Sequence, residues 1–392
     1  MRTSISSGVL TLTLGILAAC GGSGGATETP GGGNGTSSGG TPAEAPGSEI
    51  GKGDGTPESV TLTEMHTLAK TSLGDPEPVD LAFNPADPGQ LWVIGYGDDS
   101  THVGFIDGDE GTWKRYRDPA ASHFMGKPVA MAMGESPFWG VCGNTDNGQN
   151  GEEQTSGTDG TGNLFMGPAM FTTDLTVFAK RVTALGSHYD MLHGTPFCRG
   201  IAHVEKNVYW TFNAYDKSLD KYDFHKDHGP GNDDHSDGEI YRYAAGQVKG
   251  ADDGTPSHLV YDPTDGMLYV ADTGNARVVK LDTKNPGTKK SELPRKNEPL
   301  AGSGVMDGVD VAEVIAPGVL EKPSGIEVKG ELLYVTDAAT STFHVFKKDG
   351  TPVRKLETGL PPGSLAGFTF GPDAKIWFTD KVGGRVMRID PK

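Results

Sequence analysis

Three groups of histidine and carboxylate side chains in this chain could do chemistry. Residues 224–238 read FHKDHGPGNDDHSDG, which places Asp227, His228, Asp233, Asp234, His235 and Asp237 within eleven residues. Imidazole nitrogens and carboxylate oxygens at that density can hold a cation, and Gly229-Pro230-Gly231 would let the loop fold back on itself. The spacing does not match the D-x-[DN]-x-[DN]-G calcium loop. A solvated acidic loop is the other reading. A second group comprises His123 in ASHFMGKP with His188, Asp190 and His193 in SHYDMLHGTP. The third is Asp80, Arg199 and His258, each at the start of an apolar run. If His123, His193 and His258 held a divalent ion such as zinc or calcium, a coordination position would stay open for water or substrate. Asp80 would then serve as ligand or general base, and Arg199 would counter anionic charge. Against this stands the plain alternative that these histidines cap loops or bond backbone carbonyls.

The elements that must position these groups are short strands. Residues 255–282 (TPSHLVYDPTDGMLYVADTGNARVVKLD) contain three β-rich runs separated by Pro-Thr-Asp-Gly and Thr-Gly-Asn turn chemistry. Such a unit buries too little alone and needs neighbours of its own kind. Residues 322–348 repeat it, and related copies begin near Pro78, Lys127, Pro196 and Ser364. Six copies at spacings of roughly 40 to 70 residues predict an all-β chain, a six-bladed β-propeller of four-stranded antiparallel blades. Residues 59–70 are expected to supply the outer strand of the last blade and hide a sheet edge.

Aligning the copies puts Asp80, Ala130, Gly200, His258, Gly325 and Gly367 at one place near the mouth of the central channel. The loops before blades two and three, carrying His123, His188, Asp190 and His193, are expected on the same front face. The cluster His228, Asp233, Asp234 and His235 is expected on the opposite face, as the alternative metal site. Cys142 falls at the end of a second strand and Cys198 at the start of the next blade's first strand, which favours a disulfide between blades two and three; a reactive thiol pair is the alternative. Asp272, Asp337 and Asp380 recur at turns and are read as backbone-bonding residues. Trp92, Trp139, Trp210 and Trp377 lie in second strands and should pack between blades.

The pattern P-S-G-[IL] followed by L-Y-V-[AT]-D-T-G-N-x-R-V resembles the NHL repeat family of six-bladed propellers, over most of residues 59–390. The resemblance implies the fold; propellers of this kind host binding modules, hydrolases and lyases alike. Peptidylamidoglycolate lyases in this group hold zinc with histidines from blade starts, and His258 in P-S-H-L matches such a position.

The N-terminus has its own logic. Residues 1–19 carry one basic residue, Arg2, and a short interrupted apolar run ending in small residues, as a secretion signal does. Leu17-Ala18-Ala19-Cys20 resembles the lipobox of bacterial lipoproteins, which implies a lipid on Cys20 and membrane anchoring. Residues 20–57 are rich in Gly, Ser, Thr and Pro and read as a disordered tether, leaving 58–392 for the propeller. The formal charge is −18, or −19 (−18 − 1) once Arg2 is removed with the signal. With no basic stripe, nucleic acid is excluded as a partner. The expectation is an extracytoplasmic lipoprotein of the bacterial cell envelope, on the outer membrane, acting as a scaffold for a protein or small-molecule ligand. The alternative is a metal-dependent lyase or lactonase-like hydrolase at the channel mouth.

Overall fold

A computed structural model describes residues 48–106, 110–146, 164–295 and 297–392. The repeated strands form six blades of a β-propeller. Blade one pairs Pro78–Asn84, Asp87–Gly95, Ser100–Phe105 and Lys114–Tyr116 in that order. Blade two pairs Pro128–Met133, Phe138–Gly143, Ala169–Thr172 and the two-residue strand Asp190–Met191. Blade three has Cys198–Glu205, Val208–Asn213, Ser218–Asp223 and Glu239–Tyr243; blade four has Leu259–Asp262, Met267–Asp272, Arg277–Asp282 and Ala312–Ile315. Blade five runs Pro323–Lys329, Leu332–Asp337, Thr342–Lys347 and Pro352–Glu357. Blade six takes Leu365–Phe370, Ile376–Asp380 and Arg385–Pro391 and is completed by the N-terminal strand Val60–Thr67, antiparallel to Arg385–Pro391. The expected closing strand is therefore in place.

Packing between blades closes the ring. Apolar wedges fill every junction: Trp92 against Trp139 between blades one and two, Tyr209 and Ile201 against Ala130 between two and three, and Trp210 against Leu259 between three and four. Tyr269 and Ile326 fill the next junction, Phe343 and Phe378 the fifth, and Trp377 meets Leu81 at the last. Trp92, Trp139 and Trp377 are fully buried, as their second-strand positions predict. The recurring aspartates bond turns: Asp272 accepts from Lys249 N, Asp337 from Lys322 N, and Asp380 from Gly383 N.

Two features depart from the sequence reading. Residues 48–57, assigned by composition to the tether, belong to the folded unit. Ile50 is buried at the blade five–six junction, Glu49 bonds Lys329 and Tyr334, and Asp54–Gly55 runs parallel to Pro352–Glu357. The stretch after blade four's third strand adds two strands beyond the four expected per blade. Thr288–Ser291 and Gly302–Asp307 form a hairpin, and Gly302–Asp307 lies parallel to Glu239–Tyr243 of blade three. A propeller blade's outer strand offers unpaired backbone groups, and this excursion satisfies those of blade three. Beyond the hairpin's first strand, Asn297 bonds Leu164 O, ahead of blade two's third strand.

Candidate functional site

The polar groups of interest separate into two places. Asp80 and His258 line the central channel beside a cavity of about 220 Å³, together with Glu327 and His203. His258 donates from Nε2 to Val129 O of blade two at 2.9 Å, and its backbone N–H bonds Ser324 O of blade five. One residue at the start of blade four thus ties three blades, through its side chain and its backbone. Asp80 accepts from Leu81 N at 2.9 Å and from Met131 N of blade two at 2.8 Å, and stands 3.8 Å from His258 Nδ1. Burial raises the Asp80 carboxyl above its ordinary value, although His258 opposes it. Glu327 is pushed to about 8 by burial and by Asp80. The small residues aligned with these positions are there for close approach: a Cβ on Gly367 would lie 2.8 Å from Asp80 Cα.

Arg199 spends its guanidinium on neighbouring backbone and amide groups. Nε donates to Asn144 Oδ1 at 2.7 Å and Nη1 to Ala251 O, with the residue 8% exposed. Cys142 and Cys198 form the expected disulfide between blades two and three, with Cα atoms 5.2 Å apart.

The second place is the outer edge of blade two against blade three. Four segments outside the blade repeat meet there. Asp118, ahead of blade two, accepts from the Ser187 N–H and hydroxyl; Thr183 donates to Gly231 O; Gly231 N–H bonds His188 O at 2.7 Å. From the hairpin turn, Glu298 accepts from the His193 N–H at 2.6 Å and from His193 Nδ1 at 2.7 Å. These contacts bring together five of the chain's eleven histidines. Ring centres lie 5.7 Å apart for His123 and His193, 5.9 Å for His193 and His235, 5.3 Å for His228 and His235, and 5.0 Å for His188 and His228. Phe124 stacks on His188 at 3.6 Å and Phe165 on His193 at 3.8 Å, which sets the ring planes.

Sequence reasoning put His188, Asp190 and His193 on the front face, apart from His228 and His235. The structure joins the two groups. Asp190 belongs to blade two's fourth strand, so the loop before it and residues 224–238 are both connections from third to fourth strand in adjacent blades, and such connections share a face. A two-residue strand has no alternation to reveal this. His258 does not join His123 and His193: among the described residues, the one group of three or more ligating side chains with atoms mutually within 4.8 Å is Asp190, His228 and His235. Asp233 accepts from His235 Nε2 at 2.9 Å, whereas Asp234 caps a turn through Ser236. Glu298 was missed, because nothing local links a residue after blade four to blade two.

Lone pairs accumulate at this edge. His188 Nδ1 donates to Leu185 O and His228 Nδ1 to Gly229 O. A carbonyl only accepts, so these rings carry their proton on Nδ1 and turn a bare Nε2 inward. His188 Nε2, His193 Nε2, His228 Nε2, His123 Nδ1 and Asp190 Oδ2 are buried without a hydrogen-bond partner among the described residues. Leaving one such group unpaired costs about 1–3 kcal/mol. Burial lowers His188 to about 3, with His228 adding to it, and lowers His123 to about 4, with His193 adding to it. His235 is the exception. Burial opposes its charge, but Asp190, Glu298 and Asp233 outweigh burial and raise it to about 9.

No family model and no curated protein matches the chain. The fold is similar to that of an auxiliary nutrient binding protein from Bacteroides ovatus, with a TM-score of 0.54 and 12% identity over 85% of this chain and 77% of that one. Another auxiliary nutrient binding protein, from Bacteroides thetaiotaomicron, gives 0.53 and 10% over 84% and 75%. Virginiamycin B lyase from Staphylococcus aureus gives 0.48 and 12% over 85% and 100%. At these identities the likeness speaks for the propeller fold.

Proposed function

We propose that this chain is an NHL-type propeller lipoprotein of the bacterial cell envelope. Residues 1–19 direct export, Cys20 carries the lipid, and the propeller is held outside the cytoplasm as a scaffold for a small-molecule or protein ligand. The observation that carries the binding reading is the convergence of four non-repeat segments on the blade two–three edge, joined through Asp118, Thr183, Gly231 and Glu298. Recognition surfaces are built from such irregular segments on a rigid frame. The likeness to nutrient-binding propellers supports a binding role for a fold of this kind. A metal-dependent hydrolase or lyase is the second reading, favoured by the histidine-rich edge and not by the channel, where His258, Asp80 and Arg199 are engaged in bonds between blades.

Two measurements on the full chain test the primary reading. Palmitate labelling and membrane fractionation should show a lipidated, membrane-bound protein, both properties vanishing in Cys20→Ser. A thermal-shift screen against sugars, amino acids and peptides should find a stabilising ligand whose effect weakens at least tenfold in Thr183→Ala. An unlabelled, freely soluble wild-type protein overturns the anchor. A ligand whose effect Thr183→Ala leaves intact overturns the placement of the binding surface.

A further inference from the structure

We propose that the blade two–three edge is a binding site for one divalent transition-metal ion of the zinc class, held by Asp190, His228 and His235 and completed by His188 or His193. This inference does not depend on where the chain is anchored or what it carries.

The donor atoms are already grouped. Ligand atoms of Asp190, His228 and His235 lie within 4.8 Å of one another. Imidazoles sharing one tetrahedral ion at Zn–N distances of about 2.0–2.1 Å have ring centres about 5 Å apart. His188 and His228 are at 5.0 Å, His228 and His235 at 5.3 Å, and His193 and His235 at 5.9 Å, so small side-chain adjustments bring them onto one ion.

Each ring is held from behind. The nitrogen remote from the proposed ion is bonded to an acceptor in every case: His188 to Leu185 O at 2.9 Å, His193 to Glu298 at 2.7 Å, His228 to Gly229 O at 2.7 Å, and His235 Nε2 to Asp233 at 2.9 Å. Outer acceptors of this kind orient metal-binding histidines and strengthen them as ligands. Glu298 is itself fixed by its second bond to the His193 N–H.

The centre holds more acceptors than its one donor, His235 Nδ1 on Asp190 at 3.1 Å, can satisfy. Five of the thirteen buried, unpartnered side-chain nitrogen and oxygen atoms among the described residues fall in this one cluster. The Nε2 atoms of His188 and His228, whose Nδ1 carries the proton, can only accept, and His193 Nε2 and Asp190 Oδ2 lie in the same cluster without a partner. His188 and Asp190 are each 1% exposed and His193 6%. A metal ion would take the place of the His235 Nδ1 proton and serve the remaining acceptors together. Histidines serving only as packing would find donors or carbonyls, as His258 does. Nitrogen-rich donors select zinc, copper, nickel or cobalt over calcium and magnesium, which require oxygen cages.

The test uses the full chain, purified without a polyhistidine tag from zinc-replete medium and analysed by elemental mass spectrometry. Close to one equivalent of zinc per chain is expected, and cobalt substitution should give the intense visible bands of a nitrogen-ligated tetrahedral ion. The His228→Ala/His235→Ala double variant should lose the metal at least a hundredfold in affinity. Glu298→Gln should weaken it about 10–100-fold as an orienting residue. His203→Ala, at a ring that bonds Lys206 O beside the central channel, should retain full metal. Circular dichroism and an intact Cys142–Cys198 bond report folding, and the wild-type cobalt spectrum decides the matter if the double variant misfolds. Wild-type protein that takes up no zinc or cobalt, that binds only calcium, or that keeps its metal in a folded double variant overturns the proposal.

Discussion

His193 at the blade two–three edge and His258 in the central channel are each 6% exposed, yet they use that burial in opposite ways. His258 spends Nε2 on the Val129 carbonyl across the ring, inside a frame where repeated strands place an acceptor at a fixed distance. His193 bonds Glu298 through Nδ1 and leaves Nε2 without a partner beside His123 and His235. Burial alone therefore does not tell a bonded imidazole nitrogen from a bare one. The repeat satisfies its own polar groups; a segment that breaks the repeat need not.

The largest effect should come from cutting the cross-link between blades two and three. Replacing Cys142 and Cys198 together with alanine removes a cross-link between residues 56 apart, worth roughly 3–4 kcal/mol by loop entropy. Urea denaturation should show that loss, and hydrogen exchange should rise in blades two and three while blades four to six keep their protection. Uniform acceleration around the ring would break the comparison.

A third buried histidine separates isolation from clustering. His102 of blade one has an unpartnered Nε2 but faces only Asp98, His66 and Arg115, and burial lowers it to about 4 from 6.5. Its folded value lies below the unfolded one, so the unfolded chain binds more protons between about pH 4 and 6.5. Its contribution to stability is therefore intact above that window and lost as pH falls through it. Denaturation at pH 7 and pH 4 should differ by roughly 2–3 kcal/mol less in His102→Gln than in the wild type. An unchanged pH slope would show that His102 is not a source of the acid sensitivity.

The smallest effect sharpens the boundary of the edge. Asp234 bonds only the turn at Ser236, unlike Asp190 or Asp233. Asp234→Asn should change stability by less than about 0.5 kcal/mol and leave the histidine NMR shifts of the cluster in place. Movement of the His228 or His235 resonances would bring Asp234 back into the site.

Much of this could be read without coordinates. The recurring P-S-G-I and L-Y-V-x-D runs specify blades because period-2 alternation and turn residues act within a few positions. The closing strand at Val60–Thr67 and the Cys142–Cys198 pairing follow from counting strands around a ring. Each histidine and aspartate of the edge was also visible as a residue able to bind a cation.

Their grouping was not visible. Asp190–Met191 is too short to announce itself as blade two's outer strand, so His188 and His193 were separated from His228 and His235. Glu298 reaches His193 from 105 residues away, on a hairpin that leaves blade four to pair with blade three. Local interactions between chain neighbours write a pattern into the sequence, and that pattern decided the ring. A site assembled by long-range contacts between irregular segments leaves none, so which histidines share a centre was decided by the tertiary structure.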